Sequence, residues 1–429
     1  MMHNMRFASL VFLLLTVVRA LGQIPALAID PEPSPVFAPV SPGQLAPARS
    51  QPQATQQQNQ RIRESATQAS RDHEEQLREL RADLAATDGP QRRNAAFAAA
   101  NKAQYAAAYQ ALVQMLEGRR PCDLQQAVFT TENTYLGNRL DYAGFDKQLT
   151  QLAQLCRTLA ADSLRPNPAT RFLALHRLMT DTIRLRPDAP HYPPTYDFED
   201  FWGVQDFTRQ FVTKLLFTNS GQCRSLPLLY KLLADKLGVK AYLSLAPNHL
   251  YIQVKDNRGE LYSYEATNGH FVSDAYYLGS GYIKAGALKN RSYLDTLTQH
   301  EALAFCLFDL TQGYVHRYGF DGFTDQCIDT GLCYYPQSVQ GRMLAHDAAF
   351  LRFVAAWKKE GQPPPAALPK HPTLVPLYNR VQRLTRAVDE LGHEDMPPEQ
   401  YQQWLKQVDA EKNRIIERGA TRRFDQSAH

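Results

Sequence analysis

Gly238 separates two patterns that no single kind of secondary structure can satisfy. Before it, Leu226, Leu229, Leu233 and Leu237 recur at i, i+3, i+7 and i+11, which gathers one apolar stripe on a helix. After it, Lys240 to Ala246 follows directly as an extended run. His249 to Lys255 then alternates, with Leu250, Ile252 and Val254 on one face, the period of a half-buried strand. Glu260 to Thr267 returns as a third strand. A helix that must cover its stripe and a sheet that must cover one face are natural partners. The spacing therefore predicts an α+β core, with the helix packed on an antiparallel sheet containing residues 240 to 267.

The connection between the last two strands decides which side chains share a face. Asp256-Asn257-Arg258-Gly259 has the residues of a type I turn, Asp first and Gly last. A three-residue loop, Asn257 to Gly259 with Gly259 left-handed, pairs Tyr251 with Glu265. His249 and Glu265 then become diagonal neighbours on one face. A two-residue loop would put them on opposite faces, because one step of register flips every side chain. The position of Gly259 favours the first register. At the other end of the core, Asn219 or Ser220 is placed to cap the helix, and Pro227 is tolerated near its first turn. Cys223 thus lies at a helix N-terminus, where unpaired N–H groups and the macrodipole favour a thiolate. The same N–H groups are suited to an oxyanion.

Gly221-Gln222-Cys223 opening a helix, Asn248-His249 opening a strand, and Glu265-Ala266-Thr267 on the following strand together resemble the transglutaminase-like superfamily, including its bacterial core-domain members. The resemblance covers roughly residues 200 to 280. It implies a papain/transglutaminase-like core in which Cys223 is the nucleophile, His249 its base and Glu265 the residue that orients the histidine. Gln222, Asn248 and Asn268 are the candidates for substrate or oxyanion contacts. The resemblance also implies a protein or peptide substrate attacked at an amide, by hydrolysis or acyl transfer, without cofactor or metal. Two positions depart from the pattern. Arg224 stands where many members carry an aromatic residue, and the acid is Glu rather than Asp. Taken singly, each residue also has a plainer reading: Cys223 as a buried thiol, His249 as an ordinary strand histidine, Glu265 as a solvated strand residue. Tyr262, Tyr264, Tyr276, Tyr277 and Tyr282 either line a cleft or pack the sheet. A binding or assembly module on an inactive core of the same type is the second function class.

Around this core the chain is largely helical. Phe7 to Val18 is apolar behind a short basic start, and Ala20-Leu21-Gly22 offers small residues for cleavage, so residues 1–22 read as a signal peptide. Export to a periplasmic or extracellular space follows, with no stable membrane span after cleavage; an uncleaved N-terminal anchor is the alternative. Residues 23–59 form a Pro- and Gln-rich linker. Residues 60–118 form a helical hairpin, from Arg61 to Leu84 and from Asn94 to Leu116. The core with its helical lead-in takes residues 119–298, and an array of helical hairpins resembling tetratricopeptide repeats takes 299–420. Gly313-Tyr314 and Tyr335-Pro336 are the expected joints, and the array is the expected seat of a protein partner. A net charge of +4 on 429 residues, with no long Lys/Arg run, disfavours nucleic acid. The six cysteines include no CxxC, which disfavours zinc. Export makes disulfides possible, with Cys122–Cys156 and Cys327–Cys333 as candidate pairs, Cys306 as a buried thiol and Cys223 left over.

Overall fold

The structure, a computed structural model, describes residues 95–161, 168–184, 190–200, 203, 205–280 and 283–394. The expected signal peptide, the linker, the helix over Arg61–Leu84, the end of the helical array from residue 395 and Tyr282 lie outside the described residues. Helices dominate, and a small antiparallel sheet sits among them, which makes the chain α+β.

Four helices lead in: α1 (Ala95–Leu116), α2 (Leu124–Tyr135), α3 (Tyr142–Ala161) and α4 (Pro168–Thr180). A two-residue strand β1 (Thr195–Tyr196) follows, then α5 (Val212–Thr218), β2 (Ser220–Gly221) and α6 (Ser225–Leu237). The main sheet is β3 (Ala241–Ala246), β4 (His249–Lys255), β5 (Leu261–Glu265) and β6 (His270–Val272), antiparallel throughout and in sequence order. Two short helices, α7 (Asp274–Ser280) and α8 (Ala285–Lys289), come next. The chain then runs along β3, where Leu297 N donates to Leu243 O at 2.8 Å, so that edge of the sheet is covered.

Gly238 ends α6 as a left-handed cap at φ 69°, a conformation that a Cβ resists. Leu226, Leu229, Leu233 and Leu237 are all buried, in one core with Leu243, Leu250, Ile252 and Tyr264 of the sheet. Each such side chain stabilises the fold by about 1.5–3 kcal/mol, and Leu233→Ala would cost about 2–5 kcal/mol. The expected caps are placed differently. Asn219, at φ 51°, is the left-handed end of α5, and Ser220 belongs to β2. Arg224 occupies the cap position of α6 without a side-chain cap bond.

The hairpin between β4 and β5 takes the three-residue loop. Asp256 N donates to Glu260 O at 2.9 Å, Gly259 lies at φ 92°, and Ile252 pairs with Tyr264. One step further, this register sets Glu265 opposite Tyr251.

Beyond residue 298 come α9 (Gln299–Tyr318), α10 (Gly322–Tyr334), α11 (Val339–Lys359) and α12 (Leu374–Glu390). Thr298 and Glu301 close a capping box at the start of α9. The expected joint at Gly313-Tyr314 is absent, because α9 runs through it. A Cβ on Gly313 would come within 3.2 Å of Tyr135 and 3.3 Å of Phe207, so this glycine serves close packing rather than a break. The actual joints are at Gly319 and Tyr335. Phe305, Leu307 and Phe308 of α9 are buried in the same core as α6 and the sheet.

None of the six cysteines is in a disulfide. Cys327 and Cys333 lie six residues apart on one helix, about 9 Å along its axis at 1.5 Å per residue, beyond the span of a disulfide. Cys122 and Cys156 instead direct their thiols to the carbonyls of Met115 and Ala174, and Cys306 is buried as expected. Among the described residues, no helix is long and apolar enough to cross a membrane.

Candidate active site

Cys223 is set in place by backbone pairing rather than by a helix alone. β1 and β2 form a parallel pair, Thr195 beside Ser220 and Tyr196 beside Gly221, and Asp197 N donates to Gly221 O at 2.7 Å. The turn is crowded: a Cβ on Gly221 would meet Ser225 Oγ at 2.7 Å. Ser225 Oγ in turn accepts Gln222 N at 2.9 Å, which fixes the peptide just before Cys223. Leu226 N then bonds Gln222 O, so the first helical turn begins directly around the cysteine.

His249 opens β4 because Pro247 and Asn248 turn the chain tightly after Ala246, its cross-strand partner. Asn248 takes φ 54°, which asparagine tolerates better than most residues. His249 Nε2 and Glu265 Oε2 lie 2.5 Å apart. Glu265 is held by three further donors: Thr267 N at 3.1 Å and Thr267 Oγ1 at 2.7 Å on Oε1, and the Tyr277 hydroxyl at 3.2 Å on Oε2. The Cys223 thiol is within hydrogen-bonding and electrostatic range of the same imidazole. Nδ1 has no partner at strict hydrogen-bond geometry, so that nitrogen is left for the sulfur, in the looser alignment common to unliganded sites. The Tyr196 hydroxyl, itself buried, also lies against Cys223.

Water is excluded from all three groups: Cys223 is 1% exposed, His249 3% and Glu265 0%. Burial works against the imidazolium, but the Glu265 carboxylate and the contact with Cys223 outweigh it and push His249 up to about 10. Burial likewise works against ionised Glu265. His249 and the Thr267 donors overcome it and hold the carboxyl below its ordinary value. The two charges therefore sustain each other.

The remaining candidates are engaged in local hydrogen bonds. Gln222 Nε2 donates to the carbonyls of Asp197, Glu199 and Asp200 at 3.3, 3.1 and 3.4 Å, clamping the segment after Tyr196. Asn268 Oδ1 accepts His270 N at 3.0 Å in the turn between β5 and β6. Tyr264 and Tyr277 are fully buried, whereas Tyr262 faces solvent. Among the described residues no grouping of three or more His, Cys, Asp or Glu side chains is suited to a metal ion.

Sequence reasoning did not find Tyr196 or the partner of Arg224. Tyr196 comes from a two-residue strand next to a Pro-rich break, where no periodicity exists to read. Asp309, the partner of Arg224, did carry a signal, as an acid inside the otherwise apolar run Ala302 to Leu310. Thr267 was legible as a hydroxyl two residues after an acid, the spacing of a local side-chain turn.

No family model matches the chain, and neither does any curated protein. Among solved structures it is similar to a crystal structure of menin, described as revealing the binding site for the Mixed Lineage Leukemia protein. That likeness has a TM-score of 0.32 and 11% identity, over 65% of this chain and 70% of that one. A likeness that low carries no argument about fold or function.

Proposed function

We propose that the chain is a cysteine acyl-enzyme of transglutaminase-like type, built on a papain/transglutaminase-like core and acting on peptide or side-chain amide bonds. The observation that carries this reading is the line from Cys223 through the His249 ring to Glu265, with Nε2 and Oε2 2.5 Å apart. Such a line meets the needs of a thiol nucleophile: a base beside it, and a third group that fixes the base in one orientation. The Cys223 thiolate attacks the amide carbonyl, and the charged oxygen that forms is met by backbone N–H groups of the helix start. The imidazolium then gives its proton to the leaving amine, and a thioester remains. Water releases the acid, or an amine takes the acyl group, with His249 accepting the proton of the incoming nucleophile. No cofactor is needed, and we place the reaction outside the cytoplasm on the reading of residues 1–22.

The test is a thiol-directed amide-mimic probe on the full chain, with the labelled peptide identified by mass. Labelling at Cys223 that disappears in His249→Ala is the expected result. Labelling elsewhere, or labelling indifferent to His249, would overturn it. The near-complete burial of all three groups favours a second reading, in which the core is inactive and serves with the C-terminal helices to bind a protein. An absence of labelling at Cys223 in folded protein selects that reading.

A further inference from the structure

Arg224 immediately follows Cys223 and is 5% exposed. Its Nε donates to Asp309 Oδ2 of α9 at 3.0 Å, and Nη2 pairs with Oδ1 of the same carboxylate. The guanidinium lies over the Phe305 ring at 4.4 Å. Asp309 is braced in turn: Gln340 Nε2 of α11 donates to its Oδ1 at 3.1 Å and to Gln312 Oε1 at 3.1 Å. A two-point fork thus ties the turn that carries the thiol to two helices beyond residue 298. Desolvating a guanidinium and a carboxylate costs more than burying an apolar pair of similar shape. Packing alone therefore does not call for these two residues.

Resting on the acyl-enzyme reading above, we propose that Arg224 is a positioning residue for Cys223. Fixed to Asp309, it holds the turn that presents the sulfur and keeps a cation beside it. The helices beyond residue 298 then belong to the catalytic unit.

The charged and titratable groups facing Arg224 support this assignment. They are Cys223 on its own turn, Cys306 and Asp309 on α9, and Glu132 on α2. Burial pushes the Cys306 thiol up to about 12, so it stays neutral. Glu132 is occupied with the N-terminus of α5, accepting Val212 N at 2.7 Å and Thr213 N at 2.8 Å. The Arg224–Asp309 pair is thus fixed within electrostatic range of Cys223.

The experiment is alkylation of the full chain by iodoacetamide, read at the Cys223 peptide by mass, at about pH 6 and about pH 9, where a thiol's reactivity follows its thiolate fraction. In Arg224→Met/Asp309→Leu, which replaces the whole pair by apolar groups, we expect an unchanged unfolding midpoint. Alkylation of Cys223 should fall about tenfold at the lower pH and stay within about twofold at the higher one. A purely structural pair would not move that pH profile. Rates matching wild type at both pH values overturn the proposal. If the double variant does not fold, Arg224→Lys carries the same readout. It keeps a cation but loses the fork, so a rate at the lower pH reduced by about threefold or more supports the assignment and a wild-type rate overturns it. His249→Ala separates the two ideas. Alkylation that depends on His249 but ignores the Arg224 variants overturns this proposal alone. Alkylation indifferent to His249 overturns the acyl-enzyme reading and this proposal with it.

Discussion

His249 and Glu265 hold opposite charges where no water supports either, and the pH dependence of stability should reveal it. His249 is raised from an ordinary 6.5 to about 10, so between these values the folded chain binds a proton that the unfolded chain has released. Stability from this group is fully present below about 6.5 and is lost as pH rises through about 10. Glu265 is lowered, so its contribution is present above its ordinary value and is lost as pH falls. Glu265→Gln should shrink the alkaline decline, because burial would then oppose the imidazolium against the Cys223 contact alone. On the acyl-enzyme reading, the same substitution should lower amide turnover, by hydrolysis or acyl transfer, about a hundredfold or more, and Cys223→Ser should nearly abolish it. Unfolding midpoints measured across pH, alongside turnover, check both. Glu132 supplies a separable signal at lower pH. Burial, working against its two backbone donors, raises it from 4.5 to about 7, so the folded chain again binds the extra proton. Stability from this group therefore falls as pH rises from about 4.5 to about 7. Glu132→Gln should flatten that lower window and leave the alkaline one untouched.

Between residues, it is the β4–β5 hairpin that decides whether the site exists. Gly259 at φ 92° permits a three-residue loop, and that loop length puts Glu265 on the face of His249. Deleting Arg258 leaves two loop residues and turns the side chains of β5 over. In that variant Cys223 labelling should lose any dependence on His249, and the alkaline decline in stability should shrink. Retention of both would show that another register serves equally well. Gly259→Val should cost about 1–2 kcal/mol in chemical unfolding without changing the site. This element was readable in the sequence because alternation and a turn glycine act over a few residues. The start of α6 was less so. Asn219 and Ser220 have the chemistry of caps, but they are taken up by the end of α5 and by β2, a two-residue strand too short to leave a pattern. Gly313 misled for the opposite reason: its missing side chain answers to Tyr135 and Phe207, far away in sequence.

At the scale of the molecule, an amphipathic stripe announces that a face is covered but not what covers it. The helical character of the chain after residue 298 was therefore legible, whereas its burial against the α6 core was not. Phe305, Leu307 and Phe308 of α9 are at most 2% exposed and share one cluster with Leu226, Leu233 and Ile252. Truncating one such phenylalanine to alanine costs about 3–5 kcal/mol, against a total stability of about 5–15 kcal/mol for an ordinary domain. Removing α9 whole strips several of these contacts at once and also leaves Arg224 buried without its carboxylate. A chain ending at residue 298 should therefore fail to fold, even though it retains Cys223, His249 and Glu265. Near-ultraviolet circular dichroism and the cooperativity of urea unfolding would show this directly, as a loss of tertiary signal and of a sharp transition. A truncated chain with a cooperative transition would mean instead that the sheet and α6 form a self-sufficient core. The Arg224–Asp309 tie would then join two independently folded parts, and cutting it would loosen their docking without unfolding either.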